Sequence, residues 1–187
     1  SLNEVNDAVR KNGKIQWIHV RHEETGAFAA GAEAQLTGEL ACCAGSSGPG
    51  HVHLINGLYD AHRSGAPVLA IASTVATYEM GTRYFQETDT IKLFDDCSYY
   101  NQMATTPKQF PRMLQAAMQT AVTLRGVSVV GLPGDLAATE CQPVDSSLIT
   151  YDMSSDIVLE QSWVERLSKW LNKANKITIY CGIGAKD

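Results

Sequence analysis

Three short apolar runs, each closed by turn residues, constrain this chain more than any other feature. They are Glu39 to Ala44 (ELACCA), Pro67 to Ala72 (PVLAIA) and Val127 to Leu132 (VSVVGL). Runs of this length without alternation read as strands buried on both faces. Longer segments with helical spacing lie between them. His22 to Leu36 is rich in Ala, Glu and Gln and is predicted to form a helix closing at Gly38. His51 to Arg63 places Leu54, Ile55, Leu58 and Ala61 on one face, and Gln109 to Leu124 does the same with Met113, Leu114, Ala117 and Ala121. Further strands are predicted at Ile15 to Val20 and Tyr99 to Ala104, with a short helix at Ile91 to Asp95. Repeated strand–helix units of this kind specify an α/β fold, a doubly wound parallel sheet with helices on both faces.

Ligands of such sheets bind outside the carboxyl ends of the strands. Three loops take that position: Arg21 to Glu24, Gly45 to Gly50, and Ser73 to Gln86. Composition changes after Asp135. The stretch Ala137 to Ser155 mixes Pro, Ser, Thr and Asp with little periodicity and reads as a linker. Beyond it, Val158 to Asn172 reads as a helix and Lys176 to Cys181 as a strand leading into Gly182-Ile183-Gly184. The expected organisation is a domain over 1–136, a linker over 137–157, and the start of a second nucleotide-binding-type unit over 158–187.

A net charge of −5 and a pI near 5.5 argue against nonspecific binding to nucleic acid or to an anionic membrane surface. No apolar run approaches the ~20 residues of a membrane helix, and the chain opens without the basic and apolar regions of a signal peptide. The five cysteines are Cys42, Cys43, Cys97, Cys141 and Cys181. Their odd number and scatter fit reduced core residues of a cytoplasmic protein better than a disulfide framework or a zinc site.

Each loop carries residues capable of chemistry, and each has a plainer reading. Glu23, in Arg21-His22-Glu23-Glu24, opens a helix, where a carboxylate is commonly present simply because the helix dipole favours it. A functional role would require it to sit in a mostly apolar site and share a proton with a ligand nitrogen. Gly45-Ser46-Ser47-Gly48-Pro49-Gly50 has the composition of a phosphate loop but neither the Gly-x-Gly-x-x-Gly nor the Walker pattern. A tight strand-to-helix turn accounts for it equally well. Phe85-Gln86-Glu87 suits either a ligand wall or a capped turn. His51 and His53 lack a third ligand nearby in sequence, which disfavours a metal site.

Taken in order, these segments resemble a known family. Arg21-His22-Glu23-Glu24 with its Ala-rich helix, Gly48-Pro49-Gly50, Gly57-Leu58-Tyr59-Asp60-Ala61, Pro67-Val68-Leu69-Ala70-Ile71, Phe85-Gln86-Glu87 and Val130-Gly131-Leu132-Pro133-Gly134-Asp135 are similar to the pyrimidine-binding domain of thiamine diphosphate enzymes. The run His53 to Asp60 resembles the pyruvate oxidase group, which includes the quinone-reducing pyruvate dehydrogenases. Acetolactate synthases usually have Asn where His53 stands.

The resemblance implies roles. Glu23 would hydrogen-bond the aminopyrimidine ring and favour the imino tautomer that deprotonates the thiazolium C2. The cofactor would then act as electron sink during oxidative decarboxylation of pyruvate or a related 2-keto acid. Gly48, Pro49 and Gly50 would lie beside the pyrimidine, and Phe85 and Gln86 on the substrate side of a neighbouring subunit's site. The implied cofactors are thiamine diphosphate, Mg2+ held by another domain, and FAD held mostly outside this segment. The implied assembly is a homo-oligomer, a dimer or tetramer, with peripheral membrane or quinone contact in the full-length protein.

Against the family pattern, a leading segment with a central strand and the diphosphate-binding domain are missing. The expectation is a chain without turnover on its own and with a strained or associated fold, such as a dimer through the Glu23 helix. The alternatives are an acetolactate synthase-type carboligase fragment and a non-catalytic binding or assembly module.

Overall fold

The structure is a computed structural model that describes residues 2–141, 158–182 and 185. The chain divides into two compact units, Ser1–Met153 and Ser154–Asp187. The first begins with helix α1 (Asn3–Asn12), then α2 (Glu23–Thr37), β1 (Ala41–Gly45), α3 (Pro49–His53), α4 (Ile55–Arg63) and β2 (Val68–Thr74). After a long loop come α5 (Thr90–Phe94), β3 (Tyr100–Met103), α6 (Phe110–Leu124), β4 (Val127–Pro133) and the short α7 (Gly134–Ala137).

The four strands form one parallel sheet in the order β1-β2-β4-β3. Ala41 lies opposite Val68, Val68 opposite Val127, and Tyr100 opposite Ser128. The two central strands, β2 and β4, are buried at every residue, which is why their sequences are continuous apolar runs. Helices cover both faces. Leu54, Leu58, Phe94 and Cys97 belong to the cluster on the α2–α4 side, while Met113 and Ala117 of α6 pack with Leu69, Val130 and Leu132 on the other. The predicted doubly wound architecture is the one observed.

Small side chains let α2 and α4 pack closely. A Cβ at Gly57 would lie 2.6 Å from both the Ala27 Cβ and the Phe28 amide nitrogen, and one at Gly31 would lie 3.2 Å from the Ala61 Cβ. At the other end of the contact, α2 stops at Gly38, whose φ of 77° is left-handed and whose N–H bonds the Ala34 carbonyl.

Two predicted strands are not formed. Ile15 to Val20 has no ladder, and Ile15 and Ile18 are 65% and 67% exposed. Lys176 to Cys181, in the second unit, is likewise outside any strand, with Tyr180 at 96%. Both segments have β-favouring residues, but a strand exists only when its N–H and C=O groups meet a neighbour, and none lies beside either among the described residues. The second unit contains α8 (Gln161–Lys173), where a helix is predicted. Most of the expected linker and the Ile183-Gly184 pair lie outside the described residues.

The helix predicted from His51 is instead two, broken at Leu54, and the first starts at Pro49 because proline suits a first turn. The cysteines also differ from expectation. All are unpaired, but only Cys43 and Cys97 are buried, and Cys42, Cys141 and Cys181 are exposed. Cys42 alternates outward on an edge strand, and Cys181 belongs to the segment without a ladder. No helix among the described residues is long and apolar enough to cross a membrane.

The α2–α4 contact gives a direct test. Gly→Ala inside a helix ordinarily stabilises by about 1 kcal/mol. Gly57→Ala is expected instead to destabilise by roughly 1–3 kcal/mol through overpacking. The urea midpoint followed by circular dichroism should fall without a change in slope.

Candidate functional site

Glu23 is the first residue of α2 and lies at the carboxyl end of the sheet, with His22 in extended conformation before it. Its Oε2 accepts a hydrogen bond from Nδ1 of His53, the last residue of α3, at 3.1 Å. The His53 ring stacks on His22, centroid to centroid 4.4 Å. Next to it, Glu24 Oε1 accepts from the Asn56 amide at 2.6 Å, and His22 Nδ1 is 3.7 Å from Glu24 Oε2. Both carboxylates at the start of α2 are therefore tied to the α3–α4 segment.

Partial burial pulls the Glu23 carboxyl upward. The hydrogen bond from His53, the residue's own amide and the charges of His53 and His22 outweigh this and set it below the ordinary carboxylate value. Glu23 is thus an ionised acceptor at neutral pH. Within this unit its setting is polar and its side chain one-third exposed, unlike the mostly apolar site that sharing a proton with a ligand nitrogen would require.

The Gly48-Pro49-Gly50 turn stands between Glu23 and Gln86. Gly48 has a φ of 65°, and a Cβ there would meet Gln86 at 3.1 Å. A Cβ at Gly50 would lie 2.3 Å from Ser46 Oγ and 3.4 Å from Glu23 Oε1. Ser46 thus fills the space a side chain at Gly50 would need, and the Glu23 carboxylate lies beside it. Ser47 Oγ donates to Gln86 Oε1 at 3.1 Å, which ties the turn to the long loop.

That loop is framed by carboxylates. Glu87 accepts from the amides of Gly81 at 2.5 Å and Arg83 at 3.0 Å, and Glu79 accepts from the Ala76 amide at 3.1 Å. Asp135 takes both the amide and the hydroxyl of Thr77. Burial raises the Asp135 carboxyl, but these bonds more than offset it and hold it low. Glu87 is accordingly a turn clamp, and the Phe85-Gln86-Glu87 motif divides its roles. Gln86 faces the glycine turn. Phe85 is 82% exposed, its ring 5.3 Å from that of Tyr84, and it is not brought to Glu23. A cleft of about 680 Å³ opens under the loop, lined in part by Thr74, Met80, Phe85, Thr90 and Met103.

His51 and His53, considered in the sequence only as metal ligands and as part of the family resemblance, take other roles in the structure. His51 is fully buried. Its Nδ1 donates to the Ser73 carbonyl at 2.7 Å and its Nε2 accepts from Thr88 Oγ1 at 2.5 Å, joining the glycine turn, β2 and the long loop. His53 faces Glu23. The His-x-His spacing was the available signal, since residues two apart on a helix point to different sides. Among the described residues no group of three His, Cys, Asp or Glu could hold a metal ion.

Residues 1–93 match the family model described as thiamine pyrophosphate enzyme, N-terminal TPP binding domain. The domain belongs to the thiamine pyrophosphate enzyme family.

Several relatives are similar along nearly the whole chain. An uncharacterized 42.6 kDa protein of Pseudomonas amyloderamosa is 50% identical over 185 residues, covering 98% of this chain and 47% of the relative. Pyruvate oxidase of Lactiplantibacillus plantarum is 37% identical, covering 100% of this chain and 31% of that enzyme. The acetolactate synthase isozyme 2 large subunit of Escherichia coli is 31% identical, covering 92% and 31%. The chain thus spans less than half the length of each.

The buried His51 gives this site a pH signature. Burial lowers its imidazole below the ordinary 6.5, offset in part by the Ser73 and Ser46 carbonyls. A depressed histidine binds its proton more readily when unfolded. Its stabilising contribution is complete above 6.5 and lost as pH falls through the lower folded value. The urea midpoint should therefore drop on acidification from pH 7 toward 5, and His51→Gln should flatten that part of the profile.

Proposed function

We propose that this chain is the pyrimidine-binding part of a thiamine diphosphate-dependent pyruvate oxidase, with Glu23 as the residue that engages the cofactor's aminopyrimidine ring. The observation that carries this reading is the ionised Glu23 carboxylate set against Gly50, where a Cβ would lie 3.4 Å from Oε1. When bound, the cofactor supplies an electron sink for decarboxylation of a 2-keto acid.

The chain's own residues act around that group. Glu23 would accept a hydrogen bond from the N–H of the ring's imino form, its ionised oxygen favouring that proton on the ring nitrogen. Gly50 keeps the turn's backbone close to Glu23, since Ser46 Oγ leaves no space for a side chain there. Ser47 and Gln86 fix the turn against the long loop, so the edge of the ring meets a settled wall. The exposed Phe85 supports a site completed by a neighbouring subunit, in a homo-oligomer, dimer or tetramer, with Mg2+ and FAD held by other parts of the full-length protein.

Identity of 37% to a pyruvate oxidase against 31% to an acetolactate synthase, together with His53, favours the oxidase over the carboligase. The deciding experiment uses the full-length protein with thiamine diphosphate, Mg2+, FAD and an artificial electron acceptor. The wild type should oxidatively decarboxylate pyruvate, and Glu23→Gln should lose about 10²–10⁴-fold in rate, the span of a lost acid–base group. Formation of acetolactate without electron transfer would move the assignment to the carboligase. An inactive wild type, or an unaffected Glu23→Gln, would leave the binding or assembly module.

A further inference from the structure

The contact between Glu23 and His53 distinguishes the two oxygens of one carboxylate. Oε2 accepts from His53 Nδ1 at 3.1 Å, while Oε1 lies on the Gly50 side. His53 is itself steadied by His22, whose ring stacks on it at 4.4 Å with 26° between planes. His22 immediately precedes Glu23, so the ring that orients the histidine belongs to the same turn of chain as the carboxylate. The helix packing that brings α3 and α4 against α2 fixes the remaining distance.

We propose that His53 is a positioning residue: by holding Oε2 it leaves Oε1 aimed past Gly50 as the oxygen that meets the ring nitrogen. This rests on the assignment of Glu23 to the aminopyrimidine. A glutamate side chain left alone at a helix start samples many rotamers, and most of them turn the carboxylate to solvent. The His53 bond selects one. Because the acceptor is an ionised carboxylate, Nδ1 must carry the hydrogen. The same bond opposes protonation of Glu23. The titratable groups facing this carboxylate are His53 from α3, His22 from the segment before α2, and Glu24 beside it, whose own carboxylate is engaged by Asn56 of α4.

Three variants of the full-length protein test the proposal. His53→Phe keeps an aromatic face for His22 and removes the donor. His53→Asn places an amide N–H where Nδ1 stood. His53→Gln moves the donor out to the Nε2 position and serves as the loss variant should His53→Phe not fold. Calorimetric affinity for thiamine diphosphate is measured between pH 5 and 8, beside kcat and KM for pyruvate.

The loss variant should bind the cofactor about 10-fold more weakly, the scale of one hydrogen bond to a charged group. The acid limb of its binding profile should move to higher pH, since Glu23 then protonates more easily. The kcat should fall with little change in KM, and His53→Asn should restore most of each. Unchanged affinity and an unmoved acid limb in the loss variant would overturn the proposal, as would an Asn variant as impaired as the Phe variant.

Glu23→Gln separates this from the functional reading. If that variant loses binding and turnover while His53→Phe behaves as wild type, only the positioning role fails. If Glu23→Gln binds and turns over normally, the assignment of Glu23 falls, and the positioning role falls with it.

Discussion

Helix α2 lies against α4 with almost nothing between their backbones, because Gly57 meets Ala27 and Gly31 meets Ala61. That proximity sets the geometry of everything at the carboxyl end of the sheet. Side chains of ordinary size would separate the helices by a methylene or more and carry Glu23 and Glu24 away from His53 and Asn56. The carboxylate pair at the start of α2 is therefore positioned from inside the core, by residues with no chemistry of their own.

The two histidines of α3 show how local spacing becomes function. His51 turns into the sheet and becomes a neutral bridge between β2 and the long loop, whereas His53 turns out and meets a carboxylate. The residue type is the same, but burial decides one and an ionised neighbour the other. The glycine turn before them makes both arrangements possible. Its first glycine supplies a backbone conformation that larger residues resist, and its last lets Ser46 close against the turn beside Glu23.

How much of this the sequence discloses depends on where the determining contacts lie. β1, β2 and β4 were legible because burial on both faces writes itself into continuous apolar runs, and α2 and α6 because one-sided burial gives a helical period. Ile15 to Val20 and Lys176 to Cys181 were misread because β-propensity is local while pairing is not. Glu23 and the glycine turn were visible as motifs. The hydrogen bond from residue 53 to residue 23 was not, since nothing in either segment states that α3 returns to the start of α2. Phe85-Gln86-Glu87 was visible as a unit but not as a division of labour, which only the partners of each side chain reveal.

The loop from Val75 to Asp89 takes its shape from Glu79, Glu87 and Asp135, each of which receives backbone N–H groups of the loop itself. At its tip, Thr82 Oγ1 donates to the Glu79 carbonyl at 2.6 Å and Arg83 holds a left-handed φ of 63°, so the frame constrains Tyr84 and Phe85 least. Such a segment behaves as an interchangeable cassette in a fixed mount. Related proteins could therefore diversify the tip, and with it whatever the cleft admits, without reworking the sheet or the carboxylate beside it.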